Sequence, residues 1–364
     1  MEYAVIGAGI AGLTAARVIA ENGDKVLIFE KRKTIGGNCH DLFKEGNYFQ
    51  KFGPHIFHTN EEKVWNFLSE FTEWHDYKHK VYAKIDSKLV HIPFNFKSLK
   101  TIYPKEKAER IMKKLEDRLG TSKSISIMDL KNIDNPEIKE LADFIYEKIF
   151  FNYTVKQWGY NPEELDKQVV GRVPVYLGEE EGYFRKDKFQ GIPKKGFTYM
   201  FDNMLKHKNI SIKFGNAITK KDLNGDFKSI IVTSPIDEFY SYKFGRIKYR
   251  KIFLNSEKRN TSSFQENSVI NYPNEEKFTR ITEYNKFLGI KNKDTIISKE
   301  YSSWSKGFLA YPIFNAENQK IIEKYLGLAK TESNIQALGR LAECKYYNID
   351  QACSRGIEVA ESLK

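Results

Sequence analysis

The chain has 364 residues, 41% hydrophobic and 29% charged, which suits two or three domains with a sizeable core and excludes a disordered chain. Its net charge of +11 comes from lysines interleaved with acids, without a basic tail, so it gives no nucleic-acid signature. Three cysteines, Cys39, Cys344 and Cys353, with no CxxC spacing, argue against a disulfide framework or zinc site and make a reducing cytoplasm the expected compartment.

Residues 3–32 open the chain as one unit. YAVI predicts a buried strand, TAARVIAENG a helix closed by Gly23, and KVLIFE a second strand ending in Glu30. Between them Gly7, Gly9 and Gly12 make G-x-G-x-x-G, and the strand–helix context turns a weak triplet into a dinucleotide-binding fingerprint. Gly7 permits the tight turn, Gly9 lets the backbone approach a pyrophosphate, and Gly12 allows close helix packing. The helix amino terminus offers N–H donors and a positive dipole end to the anion. Glu30 is placed to accept hydrogen bonds from the adenosine ribose. The run 4–20 contains Arg17 and lacks both the basic start of a signal peptide and the length of a span, so no membrane insertion is expected.

Lys31, the basic residue after the acid, and a second glycine pair ending in Gly37-Asn38 resemble the flavoprotein pattern, in which the chain passes the diphosphate twice. Residues 334–350 offer a short strand, then Gly339-Arg340, then a helix. In glutathione-reductase-like flavoproteins such a segment closes over the flavin diphosphate and ribityl chain. Both features favour FAD.

Residues 53–60, GPHIFHTN, bring His55 and His58 together. Metal ligand, catalytic base and hydrogen-bonding wall around a cofactor are the open readings, and no cysteine, aspartate or third histidine stands nearby in sequence to complete a metal site. Further on, 61–72 predicts a helix, 81–94 two strands around Asp86-Ser87, 104–150 charged amphipathic helices, and 209–255 several strands. The expected fold class is α/β: a Rossmann-like FAD-binding domain (1–78 with 186–235 and 301–364) interrupted by an inserted helical domain (99–160) and an inserted, mostly antiparallel β-sheet domain (79–98 with 236–300). Residues 163–185, with Gly171, Gly178, Gly182 and a run of three glutamates, are the expected mobile lid.

GPHIFHTN, NYTVKQWG (152–159), GRVPV (171–175), GYF (182–184), QGIPKKGFT (190–198), FGRIKYR (244–250), FTRITEYN (278–285), KEYS (299–302) and YPI (311–313) occur in order. Together they resemble the bacterial UDP-galactopyranose mutases over essentially the whole chain. The resemblance implies a cytoplasmic, homodimeric isomerase that uses reduced FAD with no net oxidation and makes galactofuranose for cell-surface polysaccharide. It implies that the flavin N5 attacks the anomeric carbon and displaces UDP, and that the sugar ring opens on this covalent intermediate and recloses through another hydroxyl. It implies roles for individual residues too. Arg172 on the lid and Arg280 on a strand bind the departing diphosphate, where planar guanidinium groups suit phosphate oxygens. Tyr153 and Trp158 form an aromatic wall for uracil and ribose, and Tyr183, Phe184, Tyr311 and Tyr346 line the diphosphate end, with Asn271 on the same substrate side. His55 and His58 lie beside the flavin and sugar, His58 with a catalytic role.

Three positions depart from the family pattern. His79 stands for an asparagine, Asn348 for a carboxylate two residues after Tyr346, and Tyr176 for the second arginine of the lid motif. They change the hydrogen-bond inventory where the sugar and its phosphates are expected. UDP-N-acetylgalactosamine, UDP-arabinose and dTDP-deoxysugars are therefore alternatives to UDP-galactose. An FAD-dependent amine oxidase or desaturase is a rival enzyme class, and a non-enzymatic nucleotide-binding protein is a second rival.

Overall fold

The computed structural model describes residues 2–120, 122–165, 174–223 and 225–364. They divide into two compact units, one of Met1–Tyr77, Asp187–Lys251 and Phe308–Lys364, the other of Lys78–Lys186 and Ile252–Gly307. The helices and the sheet expected as separate inserts fall into the same second unit, while residues 236–251 join the first.

The first unit is built on a five-stranded sheet in the order Ile210–Phe214, Lys25–Glu30, Glu2–Ile6, Ile230–Val232, Ile335–Ala337, parallel at every join. The strand Glu2–Ile6 (β1) is buried from Tyr3 on, as expected for the middle of a sheet covered on both faces. β1 leads into the helix Ile10–Glu21 (α1), and then into the strand Lys25–Glu30 (β2). On one face Phe239, Ile322 and Tyr325 pack against Ala4, Ile6 and Val232. The helix Ile349–Ser362 lies along α1, and its Gly356 comes so close that a Cβ there would sit 2.9 Å from the Ala11 carbonyl oxygen. A smaller sheet places Phe189–Pro193 between Phe57–Thr59 and Trp74–His75. Trp65, Trp74, Phe57 and Phe189 stack there at centroid distances of 4.7–4.9 Å.

The second unit holds a mixed sheet. Arg280–Glu283 runs antiparallel to both Val269–Asn271 and Thr295–Ser303, Val81–Ile85 joins Val269–Asn271 in parallel, and Val81–Ile85 turns back into Lys88–Ile92 around Asp86, whose φ is +52°. Helices Lys105–Leu119, Ile127–Lys131 and Pro136–Ile145 follow the expected amphipathic pattern. A π-helical turn, Tyr146–Phe151, which no sequence periodicity marks, then leads into the helix Asn152–Trp158, stopped by Gly159 at φ +74°.

One local expectation fails. The helix expected directly after Gly339-Arg340 starts only at Ile349. Side chains hold 341–348 out of helix: Glu343 Oε2 accepts the Gly339 amide at 2.8 Å, Arg340 donates to the Tyr347 carbonyl at 2.5 Å, and Cys344 sits at φ +52°.

Candidate functional site

The glycine loop forms a cradle. Gly7 stands at φ +113°, where an added Cβ would lie 2.3 Å from Thr233 Oγ1, and a Cβ on Gly12 would lie 2.2 Å from the Gly7 carbonyl oxygen. Both are required by the fold itself. Gly9 differs: its φ is an ordinary −82°, and a Cβ there would find only the Gly37 Cα, at 3.9 Å. Gly9 at the start of α1 thus faces Gly37 with side-chain-free backbone, the shape a diphosphate needs at a helix amino terminus. Gly339 approaches α1 as well, at φ +85°, its absent Cβ 3.1 Å from Ala11.

Glu30 is buried at the end of β2. Its carboxylate accepts the amides of Ala8 (2.7 Å) and Arg32 (2.8 Å), tying the glycine loop to the next turn. Lys31, expected at the cofactor, pairs instead with Glu238 at 2.9 Å. Arg32 is the basic residue turned to the loop: it donates to the Gly37 carbonyl (2.8 Å) and Asn38 Oδ1 (3.1 Å) and lies over Phe52. Burial lowers its pKa from the ordinary arginine value, with Glu30 acting against the shift. Asn38 in turn donates to the Leu309 carbonyl at 3.0 Å. Reading only the first residue after the acid missed Arg32.

Arg340 lies against Tyr346, its Cζ 4.8 Å from the ring centroid, and Tyr346 and Tyr311 stand 6.0 Å apart. Asn348 caps the helix Ile349–Ser362 in a reciprocal box with Gln351.

His55 receives its place from Gln50, whose side chain accepts the His55 amide at 2.6 Å and donates to the His55 carbonyl at 2.9 Å. The His55 Nδ1 lies 2.9 Å from the Gly53 carbonyl, which fixes that nitrogen as the protonated one. His58 Nδ1 lies 2.5 Å from Asp187 Oδ2. The aspartate that is missing from the sequence neighbourhood of the histidines is thus supplied by a segment 129 residues away. Asp350, at the start of the helix Ile349–Ser362, interacts electrostatically with His58, and burial raises its pKa.

In the second unit, Asn271, Arg280 and Glu300 are direct cross-strand neighbours and share a face. Arg280 Nε donates to Glu300 Oε1 at 2.9 Å, and Glu300 is buried. The pair sets the plane of the guanidinium. Asn271 Oδ1 is buried and has no hydrogen-bond partner among the described residues. The helix bearing Tyr153 and Trp158 is fastened to the hairpin that bears Arg280 by Lys156, whose Nζ donates to the carbonyls of Tyr272 (2.6 Å), Asn274 (3.3 Å) and Phe278 (3.4 Å). Burial lowers the Lys156 pKa. No sequence signal separates this lysine from the solvated ones around it. His79 packs its ring on Phe184 at 5.7 Å and near Tyr183 at 5.6 Å, and its carbonyl accepts the Tyr183 amide.

Arg172 and the rest of residues 166–173 of the expected lid lie outside the described residues. The glutamate run after it is pinned: Glu181 accepts from Lys80 and Lys97 at 2.5 Å each, Glu179 pairs with Lys100, and the Glu180 carbonyl accepts from Asn95. The hydrogen bonds from Lys80 and Lys97 hold the Glu181 carboxyl down at about 2. Tyr176 lies under Arg185, 4.0 Å from its Cζ. Among the described residues no helix is long and apolar enough to cross a membrane.

A family model described as UDP-galactopyranose mutase matches residues 148–346, and one for an NAD(P)-binding Rossmann-like domain matches residues 5–71. The chain is 32% identical to a UDP-galactopyranose mutase of Mycoplasma pneumoniae, over 100% of this chain and 96% of the relative. It is 33% identical to a dTDP-fucopyranose mutase of Escherichia coli, over 98% of this chain and 97% of the relative. A crystal structure of reduced UDP-galactopyranose mutase superimposes with a TM-score of 0.76 at 15% identity, covering 100% of this chain and 95% of that one.

Proposed function

The chain belongs to the UDP-galactopyranose mutase family, and from that premise we propose that it interconverts the pyranose and furanose forms of UDP-galactose with reduced FAD. The observation that carries the cofactor half is the cradle of Gly9 and Gly37, where a side chain would stand in the way of a diphosphate. Gly7, Gly9, Gly12, Gly37, Arg32, Gly339 and Arg340 would hold the FAD. The Glu30 carboxylate, while accepting two amides, keeps acceptor capacity for a ribose hydroxyl. The chemistry supplied by bound reduced flavin is nucleophilic attack at the anomeric carbon, with no net oxidation.

The protein's own groups do the rest. Arg172 and Arg280 bind the diphosphate and stabilise the charge that grows on its bridging oxygen as the C1–O bond breaks. Tyr153 and Trp158 hold uracil and ribose, and Asn271 offers its buried carbonyl oxygen to a substrate donor. The family resemblance assigns Tyr183, Phe184, His79, Tyr311 and Tyr346 to contacts with the sugar and its phosphates, which would keep water out. His55 and His58 serve the flavin and sugar side. The expected assembly is a cytoplasmic homodimer.

The test is turnover of UDP-galactopyranose, UDP-N-acetylgalactosamine, UDP-arabinopyranose and dTDP-fucopyranose, with and without dithionite, products separated by chromatography. The highest kcat/KM is expected for UDP-galactopyranose, and only with reductant. A tenfold preference for dTDP-fucopyranose would overturn the choice of substrate. Full activity with oxidised flavin under strict exclusion of reductant would overturn the mechanism.

A further inference from the structure

We propose that Asp187 is a positioning residue that fixes the proton of His58 on Nδ1, so that Nε2 is the nitrogen that trades a proton with the sugar. The inference rests on the reading of His58 as an active-site group. Neighbouring strands build the pair. His58 sits on Phe57–Thr59 directly opposite Gln190 of Phe189–Pro193, and Asp187 precedes that second strand. The two side chains are only 11% and 21% exposed, and Nδ1 and Oδ2 approach to 2.5 Å. The carboxylate is held at its other oxygen as well. Its Oδ1 accepts from Asn60 Nδ2 at 3.0 Å, and Asn60 Oδ1 in turn accepts the Lys188 amide at 2.9 Å. A carboxylate only accepts, so Nδ1 must donate.

The charged side chains on the elements packed against the His58 strand are Glu61, Glu62 and Lys63 at the start of Glu62–Ser69 and Asp350, Arg355, Glu358 and Glu361 on Ile349–Ser362, with Lys188 beside Asp187. Of these, Asp350 interacts electrostatically with His58.

The reaction needs such a group. When the pyranose opens, the C1–O5 bond breaks and O5 gains a proton. When the furanose closes, the C1–O4 bond forms and O4 loses one. His58 Nε2–H gives the first proton and Nε2 takes back the second, so no proton is gained or lost overall. Between the two transfers the ring is neutral, and the Asp187 bond is what keeps Nδ1, and not Nε2, protonated.

The experiment compares Asp187→Asn, Asp187→Glu, His58→Gln and the Asp187→Asn/His58→Gln double variant of the full chain. The first measurement is the 15N spectrum of the ring nitrogens of the seven histidines, with His58→Gln identifying the pair that belongs to residue 58. Recorded at a pH high enough that the ring is neutral, as it is between the two transfers, wild type is expected to show an Nδ1-protonated ring, Asp187→Asn a mixture or reversal, because an amide can turn its NH2 to the ring, and Asp187→Glu the wild-type pattern. The second measurement is kcat and KM for UDP-galactopyranose with dithionite-reduced FAD. Asp187→Asn is expected to lower kcat about 100-fold, the lower end for a positioned acid–base group. KM should stay within about twofold. The double variant should be no slower than His58→Gln alone. An Asp187→Asn protein with an unchanged tautomer, or with wild-type kcat beside a collapsed His58→Gln, overturns the proposal. If His58→Gln keeps the wild-type rate, the acid–base reading of His58 falls by itself, and the 15N spectra still decide whether Asp187 sets the tautomer.

Discussion

Replacing Gly9 by alanine should separate cofactor binding from folding. The backbone there has φ −82°, and the new Cβ meets only the Gly37 Cα, at an ordinary contact distance of 3.9 Å. No strain follows, and an alanine even restricts the unfolded chain slightly, so stability should hold within about 0.5 kcal/mol or rise a little. The methyl nevertheless occupies the cradle at the amino terminus of α1. Losing one hydrogen bond between a backbone N–H and a charged phosphate is worth about 1.5–3 kcal/mol, or roughly 10- to 150-fold in affinity. Gly12→Ala is the contrast, since its Cβ would lie 2.2 Å from the Gly7 carbonyl oxygen and 3.1 Å from Val5. Main chain has to shift, and overpacking of that kind costs about 1–3 kcal/mol of stability. The assay is FAD titration of apoprotein by calorimetry, flavin content from absorbance, and thermal melting of each apo variant. A Gly9→Ala protein that binds FAD as tightly as wild type refutes the cradle. So does one that loses as much stability as Gly12→Ala.

Arg280→Ala should cost about 3–4 kcal/mol of transition-state stabilisation while the flavin stays bound, measured as turnover against flavin absorbance. Retention of half the rate would remove it from the leaving-group clamp. Lys156→Met keeps the aliphatic stem but strands three carbonyls, so KM should rise with FAD content unchanged. An unaltered KM would show the strap to be dispensable. The Glu181 carboxyl is held at about 2, below the usual 4.5, so its contribution is complete above pH 4.5 and is lost as pH falls toward 2. Hydrogen exchange in residues 178–181 should accelerate over that window, and a flat profile would exclude the lysine clasp as the restraint. Burial pushes the thiols of Cys39, Cys344 and Cys353 up to about 12, so at pH 8 all three should resist a thiol reagent until the protein unfolds. Rapid labelling of the native protein at any of them would contradict this.

The nucleotide unit was largely legible because a local code marks it. A strand, a glycine triplet with fixed spacing, a helix and an acid can be read in thirty residues, and β1, α1 and β2 lie where that code puts them. Residues whose partners are remote carry no such mark. Asp187 sits just past the expected lid in a run, RKDK, that carries no motif, and the pairing of Phe189–Pro193 with Phe57–Thr59 brings it to His58. Lys156 looks like any helix-surface lysine until the hairpin carbonyls close over it. Arg32 and Lys31 are equally basic, and the turn after β2 decides which one faces Gly37. The delayed start of the helix at Ile349 has the same origin: the bond that Arg340 donates to Tyr347 and the one that Glu343 accepts from the Gly339 amide outweigh a helical preference that sequence alone would favour. Asn348, read as a departure at a substrate position, serves as a helix cap, a duty that the family's carboxylate would perform equally well.

The order of the five parallel strands has a consequence for biosynthesis. β1 and α1 leave the ribosome well before their partners: the neighbour of β1 on one side is Ile230–Val232, the strand beyond it is Ile335–Ala337, and the helix that covers α1 is Ile349–Ser362. The nascent glycine loop therefore waits, incompletely covered, through the synthesis of the whole second unit. Contacts of such sequence separation form slowly, and the exposed apolar strand Tyr3–Ile6 is a site for chaperone capture in the interval. Chains released before residue 349 should be retained by chaperones and degraded, even though every glycine of the cofactor loop has already been made.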